Sequence, residues 1–263
     1  MMGNCIITLT SDFGSGSPYV AAMKGSILSV APGATIIDLT HDVPPQDIRR
    51  GAIALAGTAE SFPTGTIHLA VVDPGVGTER CLVYALIGGH HYLAPDNGLL
   101  DGLARKRAPD KIIALTNPEF WLAEISSTFH GRDILAPVAA HLSQGVAAER
   151  MGDVLDVLAH LEWPEVRVLG KTIEGAIESI DSFGNLITNI SEEMLGDVPR
   201  DDAVRIVCDD HETTGIFTTY GEQPPMTLLA VIGSGGMLEL AIVDESAATM
   251  LSVKVGTKVT VTW

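Results

Sequence analysis

The sequence predicts an α/β amino-terminal domain with a mostly parallel central sheet flanked by helices, followed by a small antiparallel β-barrel or sandwich. Two patterns carry this. Strand-like and helix-like segments alternate up to residue 72, and from about residue 171 strand-like segments follow one another with only short turns between them. The 263 residues suit two domains, and a hydrophobic content of 46% suffices for a core in each, which argues against disorder over most of the length.

CIITLT (5–10) is a short β-branched apolar run that ends at Ser11-Asp12-Phe13-Gly14. A helix is predicted over Tyr19 to Val30, stopped by Ala31-Pro32-Gly33. TIIDLT (35–40) is the second strand, Gln46 to Ser61 the second helix and TIHLAVV (66–72) the third strand. LVYALI (82–87) and HYLA (91–94) flank Gly88-Gly89 as a hairpin. KIIALT (111–116) is a further strand, and Arg132 to Ser143 a further helix in which Pro137 is a candidate kink. The first domain is expected to span 1–162, a linker 163–170 and a β-rich domain 171–263. The second domain's strands are TIEGAIESI, NLITNI, AVRIVC, TTGIFTTY, MTLLAVI, MLELAIV and KVTVTW.

A net charge of −17 repels phosphate backbones, so nucleic acid and anionic membranes are poor partners. No run of about 18 apolar residues predicts a membrane span, and MMGNCIITLTSDF lacks the pattern of a signal peptide. Three widely spaced cysteines, 5, 81 and 208, suggest neither a disulfide framework nor a zinc site, and a reducing cytoplasm is the expected compartment.

In open parallel sheets ligands sit at the carboxyl ends of strands. That rule selects three loops, Ser11–Gly16, His41–Asp47 and Asp73–Arg80. Asp73 directly follows an apolar strand, where it is either a site carboxylate or a cap for the turn PGVG. Gly75-Val76-Gly77 can fold Arg80 back toward it; otherwise Arg80 is a surface residue. His130 precedes a helix and is a candidate proton shuttle. Asp12 either caps the first helix or binds ligand hydroxyls. Gly14-Ser15-Gly16-Ser17 lacks the spacing of a phosphate loop, and no regular histidine spacing supports a metal at His41-Asp42. In the second domain Asp181-Ser182-Phe183-Gly184-Asn185 is a turn or a holder for a flat base. Ser234-Gly235-Gly236 is a hairpin turn or a nest for a carboxylate.

Taken together, TSDFGSGSPYVAAMKG (10–25), DLTHDVPPQDIRRGA (38–52), VVDPGVGTER (71–80), APDNGLL (94–100), TFHGRD (128–133), IDSFGNLITNI (180–190) and IGSGGMLELAI (232–242) resemble the S-adenosyl-L-methionine (SAM) hydroxide adenosyltransferases. These are relatives of the SAM-dependent chlorinases and fluorinases. The resemblance implies hydrolysis of SAM to adenosine and L-methionine without cofactor or metal. It implies a catalytic triad of Asp73, Arg80 and His130, with an aromatic residue at the Asp73 position in the halogenases. It also implies that Asp12 binds the ribose hydroxyls, Phe183 and Asn185 the adenine, and Asp181 and Ser234 the methionine end. The implied assembly is a homotrimer with SAM at subunit interfaces.

That chemistry suits these residues. The sulfonium leaves as a neutral thioether and needs no acid, whereas bulk water, with a pKa of about 15.7, must be activated. A carboxylate about 4 Å from a bound halide costs about 4 kcal/mol at an effective dielectric of about 20, so the charge of Asp73 favours water over halide. The alternatives are a SAM-dependent halogenase and a non-catalytic SAM- or adenosine-binding protein. A methyltransferase would require a glycine-rich SAM loop, which the sequence lacks.

Overall fold

The structure is a computed structural model that describes residues 5–263. Residues 1–4 of the predicted first domain lie outside the described residues. The chain divides after Leu161 into two compact units.

In the first unit β1 (Ile6–Ser11), α1 (Pro18–Val30), β2 (Thr35–Thr40), α2 (Ile48–Thr58) and β3 (Ile67–Val71) alternate. They are followed by β4 (Leu82–Ile87), β5 (His90–Pro95), α3 (Asp101–Lys106), β6 (Lys111–Ala114) and α4 (Ala136–Ser143). The sheet order is β2-β1-β3-β5-β4-β6. Strands β2, β1, β3 and β5 are parallel, and β4 runs antiparallel to both β5 and β6. The predicted hairpin is present. Gly88 and Gly89 both have positive φ, as a tight primed turn requires.

Alternating residues of β3, with Val72 just beyond it, serve two cores. Leu69 and Val71 pack with Met23 and Ile27 of α1 and Val138 of α4, whereas Ala70 and Val72 pack with Leu55 of α2 and Leu103 of α3. Successive strand side chains point to opposite faces, so the sheet is covered on both. This explains why β3 is apolar at nearly every position rather than at every second one.

Two helix boundaries differ from expectation, and one helix was not expected. The second helix begins at Ile48 because Gln46 adopts φ +65, outside the helical region, and Asp47 caps the helix by accepting from Arg50 N–H at 3.0 Å. The predicted helix Arg132–Ser143 is a π-helical turn, Gly131–Leu135, that runs into α4. Pro137 has no N–H to give the preceding turn. The carbonyls of Arg132 and Asp133 are satisfied instead by the Ser26 hydroxyl and the Leu122 N–H, both at 2.9 Å. Helix α3 is too short for hydrophobic periodicity to reveal.

The second unit contains β7 (Arg167–Leu169), β8 (Thr172–Ile180), β9 (Leu186–Ser191), α5 (Glu192–Leu195), β10 (Arg205–Cys208) and β11 (His211–Thr214). It continues with β12 (Leu228–Ile232), β13 (Met237–Ile242), α6 (Ala247–Leu251) and β14 (Lys258–Thr262). Every strand pair in it is antiparallel, in the order β11-β10-β14-β8-β9-β13-β12, with β7 on β8. The first half of β8 pairs with β14 and its second half with β9, so this strand turns the sheet. The ends approach where Thr213 Oγ1 donates to Leu228 O at 2.9 Å and Phe217 N–H to Ala230 O at 2.8 Å. The sheet is a nearly closed barrel rather than a sandwich.

Here too the boundaries moved. Strand β7 lies within the stretch expected to be linker. The predicted strand TTGIFTTY ends at Thr214, because Gly215 takes φ +75 and redirects the chain. Among the described residues no helix is long and apolar enough to cross a membrane.

Candidate active site

In the strand order of the first sheet, β1 lies between β2 and β3, so the chain connections diverge on either side of it. The crevice at such a switch point, at the carboxyl ends of β1 and β3, is the usual ligand position. Asp12 follows β1 and Asp73 follows β3 by two residues, and both line a cavity of about 420 Å³ there. His130 lines the same cavity, with Phe13, Tyr19 and Phe129 as its aromatic wall. These three rings meet with centroids 5.2–5.8 Å apart.

Two glycines let the loops converge. Gly77 has φ +78, and a Cβ on it would overlap the carbonyl oxygen of Ser127. The 73–80 loop therefore lies directly against the segment that leads to His130. At Gly131 a Cβ would stand 3.3 Å from Val71 and 3.4 Å from Met23 Sδ, so the π-helical turn rests on the end of β3. Asn97, in the APDNGLL segment, donates Nδ2 to Val72 O at 2.8 Å and steadies the strand end before Asp73.

Arg80 folds back as the glycine-rich turn allows. Its Nε donates to Asp73 Oδ1 at 2.7 Å and Oδ2 at 2.8 Å, and its Nη2 also donates to Oδ2. The same Nη2 donates to His130 Nδ1 at 3.1 Å. The side chains of Arg80 and Asp73 are only 10% and 5% exposed, so this is a buried pair rather than a surface one. Arg80 does not itself line the cavity; it stands behind Asp73 and His130.

A guanidinium has donors and no acceptor. His130 Nδ1 must therefore accept, which puts the ring proton on Nε2. Burial, and next the charge of Arg80, hold the His130 pKa below its usual value, against the opposing pull of Asp73 and Asp133. The imidazole is thus a neutral ring whose remaining polar group is an N–H donor.

The four candidates of the second unit line a pocket of about 920 Å³ within the barrel domain. Asp181 Oδ1 accepts the backbone N–H of Phe183 at 2.9 Å and of Asn185 at 2.8 Å, and Oδ2 accepts Asn185 Nδ2 at 2.9 Å. Asp181 is thus a turn former. Its grip on Asn185 leaves the amide oxygen of Asn185 as the group offered to a ligand. Phe183 sits at the turn's tip, 78% exposed, and Ser234 lies in the turn between β12 and β13.

Comparison with known proteins assigns both units of the chain to one family. Residues 7–152 match the SAM hydroxide adenosyltransferase N-terminal domain, and residues 175–260 match its C-terminal domain.

The chain belongs to the SAM hydroxide adenosyltransferase family.

This adenosyltransferase-family chain is similar to the (R)-S-adenosyl-L-methionine hydrolase of Salinispora arenicola, 37% identical with 97% of each chain covered. It is also similar to the one of Thermus thermophilus, 38% identical over 94% of this chain and 95% of the relative. A fluorinase of Actinoplanes sp. is 30% identical over 99% and 98% of the two chains. The solved structure of an uncharacterized conserved protein from Thermotoga maritima superposes with a TM-score of 0.92 at 36% identity, covering 98% of this chain and all of that one.

Two residues of the second pocket, Tyr220 and Glu239, escaped the sequence reading. Glu239 is buried and accepts from the Tyr220 hydroxyl at 2.9 Å in the second pocket. Burial raises the Glu239 pKa and pushes that of Tyr220 up to about 12. The signal was a charged residue inside the apolar run MLELAI. The sequence selects the loops that carry Ser11 and His41, but nothing local in TSDFG or LTHDV announces that the two side chains meet.

Proposed function

We propose that this protein hydrolyses SAM to adenosine and L-methionine by attack of an activated water on ribose C5′. The observation that carries the reading is the single guanidinium of Arg80 holding both Asp73 and His130 at the wall of a cavity that also contains Asp12. The near full-length relatives named SAM hydrolases support it. In the reaction the water oxygen bonds to C5′, the C5′–S pair returns to sulfur as methionine leaves, and one proton is released.

Each residue has a task in this scheme. Asp73 orients the water and takes its proton. The neutral His130 donates Nε2–H to the water oxygen and fixes the lone pair that attacks. Arg80 sets both partners in place and lowers the cost of hydroxide character beside a carboxylate. Asp12 takes the ribose hydroxyls. Phe183 and Asn185 hold the adenine, with the Asn185 amide oxygen suited to the exocyclic amine, and Asp181 and Ser234 serve the methionine end.

The relatives' names specify the (R) sulfonium epimer, and we extend that preference to this chain. The proposal further includes a homotrimer with active sites at subunit interfaces and a cytoplasmic location. The family resemblance supports the first, and the free thiols of Cys5, Cys81 and Cys208 fit a reducing compartment. Light scattering and cell fractionation test these two points.

Incubation with SAM in oxygen-18 water tests the reaction. Label in the 5′ hydroxyl of adenosine is expected. Formation of 5′-chloroadenosine in chloride would point to a halogenase, and SAM unchanged beyond the blank rate to a binding protein.

A further inference from the structure

The two loops that flank Asp12 are joined by a chain of side chains that the hydrolytic scheme does not use. Ser11, fully buried at the end of β1, lies with Oγ 2.7 Å from Nδ1 of the buried His41. The Phe13 N–H donates to the same Ser11 Oγ at 3.4 Å. On the far side of the ring, Asp38 Oδ1 is 3.0 Å from His41 Nε2, a close polar contact whose angle does not complete a hydrogen bond. Asp38 in turn accepts from Lys24 Nζ at 2.6 Å. The backbone ties the same loops, with Gly14 N–H donating to His41 O at 2.8 Å.

The donors along this chain run in one direction. The Asp38 carboxylate can only accept, so it favours the His41 ring proton on Nε2; Nδ1 then accepts from the Ser11 hydroxyl, whose oxygen in turn accepts from the Phe13 N–H. Serine, imidazole and carboxylate in line have the composition of a hydrolytic triad. Ser11 is 0% exposed, however, and its hydroxyl cannot reach a substrate. What it does hold is the backbone on both sides of Asp12, since Ser11 and Phe13 are that residue's neighbours. Asp12 Oδ2 is fixed independently by the backbone N–H of Gln46 at 2.8 Å, a residue of the loop that also contains His41. Asp12 lines the cavity with its other oxygen available to a ligand.

We propose that His41, acting through Ser11, is a positioning residue for the nucleoside: it aims the Asp12 carboxylate at a vicinal ribose diol. The inference rests on the reading of Asp12 as the ribose contact. Loss of the His41 nitrogen frees the Ser11 hydroxyl to rotate, and the Ser11–Phe13 turn loses the bond that orients it. The consequence is a loss of diol recognition rather than of the water-activating group, because Asp73, Arg80 and His130 belong to other loops.

The experiment is calorimetric binding of adenosine and of 2′-deoxyadenosine to wild type, His41→Leu, Ser11→Ala, Asp12→Asn and His41→Asn, with melting temperatures for each and SAM turnover alongside. Wild type is expected to prefer adenosine by about tenfold or more, the size of a hydrogen bond to a charged acceptor. His41→Leu and Ser11→Ala are expected to lose most of that preference, and Asp12→Asn to lose it as well. His41→Asn, whose amide oxygen can stand where Nδ1 stood, is expected to restore most of it. His41→Leu added to Asp12→Asn is expected to cost little more, because both act on one contact. In turnover the His41→Leu defect is expected in KM more than in kcat.

Equal weakening of both nucleosides in His41→Leu, or full additivity with Asp12→Asn, overturns the proposal and leaves His41 a purely structural residue. If wild type binds adenosine without preferring it to the deoxy form, the ribose role of Asp12 fails first. SAM that is bound but not turned over by wild type defeats the hydrolase reading while the nucleoside test still stands.

Discussion

The Nε of Arg80 donates to both oxygens of Asp73, at 2.7 and 2.8 Å, from a position behind the cavity wall. The carboxylate is thereby held by a cation on one side and faces the cavity on the other. Its orientation is set before any substrate arrives, which is the condition under which a charged group activates water at low reorganisation cost.

Removing either member of this pair should separate catalysis from binding. Asp73→Asn is expected to lower kcat by about 10²–10⁴-fold, the range for a general base, with SAM affinity changed only a few-fold. Arg80→Ala should lower kcat comparably and also destabilise the fold by about 3–5 kcal/mol, because it leaves a buried carboxylate without its cation. Single-turnover kinetics and thermal melts check both, and wild-type turnover in either variant removes that residue from the mechanism.

The pH profile should report His130. Protonated, the ring would bring a second donor against Arg80 Nη2, so the neutral form is the working one. Its folded pKa lies below the ordinary value of about 6.5. Activity is therefore expected to hold from neutral pH down past 6.5 and to fall only on the acid side of that value. The sign for stability is the same. The unfolded chain binds the proton first as pH drops, so the His130 contribution is complete above about 6.5 and declines as pH falls toward the folded pKa. His130→Gln, which keeps a donor near the Nε2 position, should retain more activity than His130→Ala; equal activity in the two would argue that the donor is not used.

Two glycines of one loop should behave differently. Gly77→Ala strains a positive φ and overlaps Ser127 O, so a loss of about 1–3 kcal/mol and a strong drop in turnover are expected as the 73–80 loop separates from His130. For Gly75→Ala the added methyl meets only ordinary contacts at 3.5–3.8 Å, with Thr78 and Arg80. Its melting temperature should stay close to wild type. Identical behaviour of the two variants would show that the loop does not need its close approach to Ser127.

Phe183 is exposed at the tip of its turn, so Phe183→Ala should leave stability within about 0.5 kcal/mol. If it stacks on adenine, adenosine binding should weaken by about 1–3 kcal/mol. Unchanged adenosine affinity by calorimetry would remove Phe183 from the substrate site.

The loops at the strand ends were legible from local pattern. An aspartate directly after an apolar strand, then two glycines and an arginine, is a signal contained in eight consecutive residues. The 181–185 turn was legible in the same way, and its bland account, Asp181 as a turn former, is what its hydrogen bonds display. The π-helical turn before α4 was not legible. A proline in a helical pattern predicts a disturbance, but which carbonyls are satisfied elsewhere depends on Ser26 and Leu122, which lie far away or outside the helix.

What the sequence by itself determined is the alternation of strand and helix, the switch to antiparallel strands and the chemistry available at each loop. Those properties follow from side-chain periodicity and turn residues that act over a few positions. Only the tertiary structure decided that Arg80 reaches His130 fifty residues away, that it does so from behind the wall, and that Ser11 meets His41 beneath Asp12. Such contacts depend on which strands are neighbours and on how closely loops can approach. At Gly77 and Gly131 the absence of one methyl group set that approach.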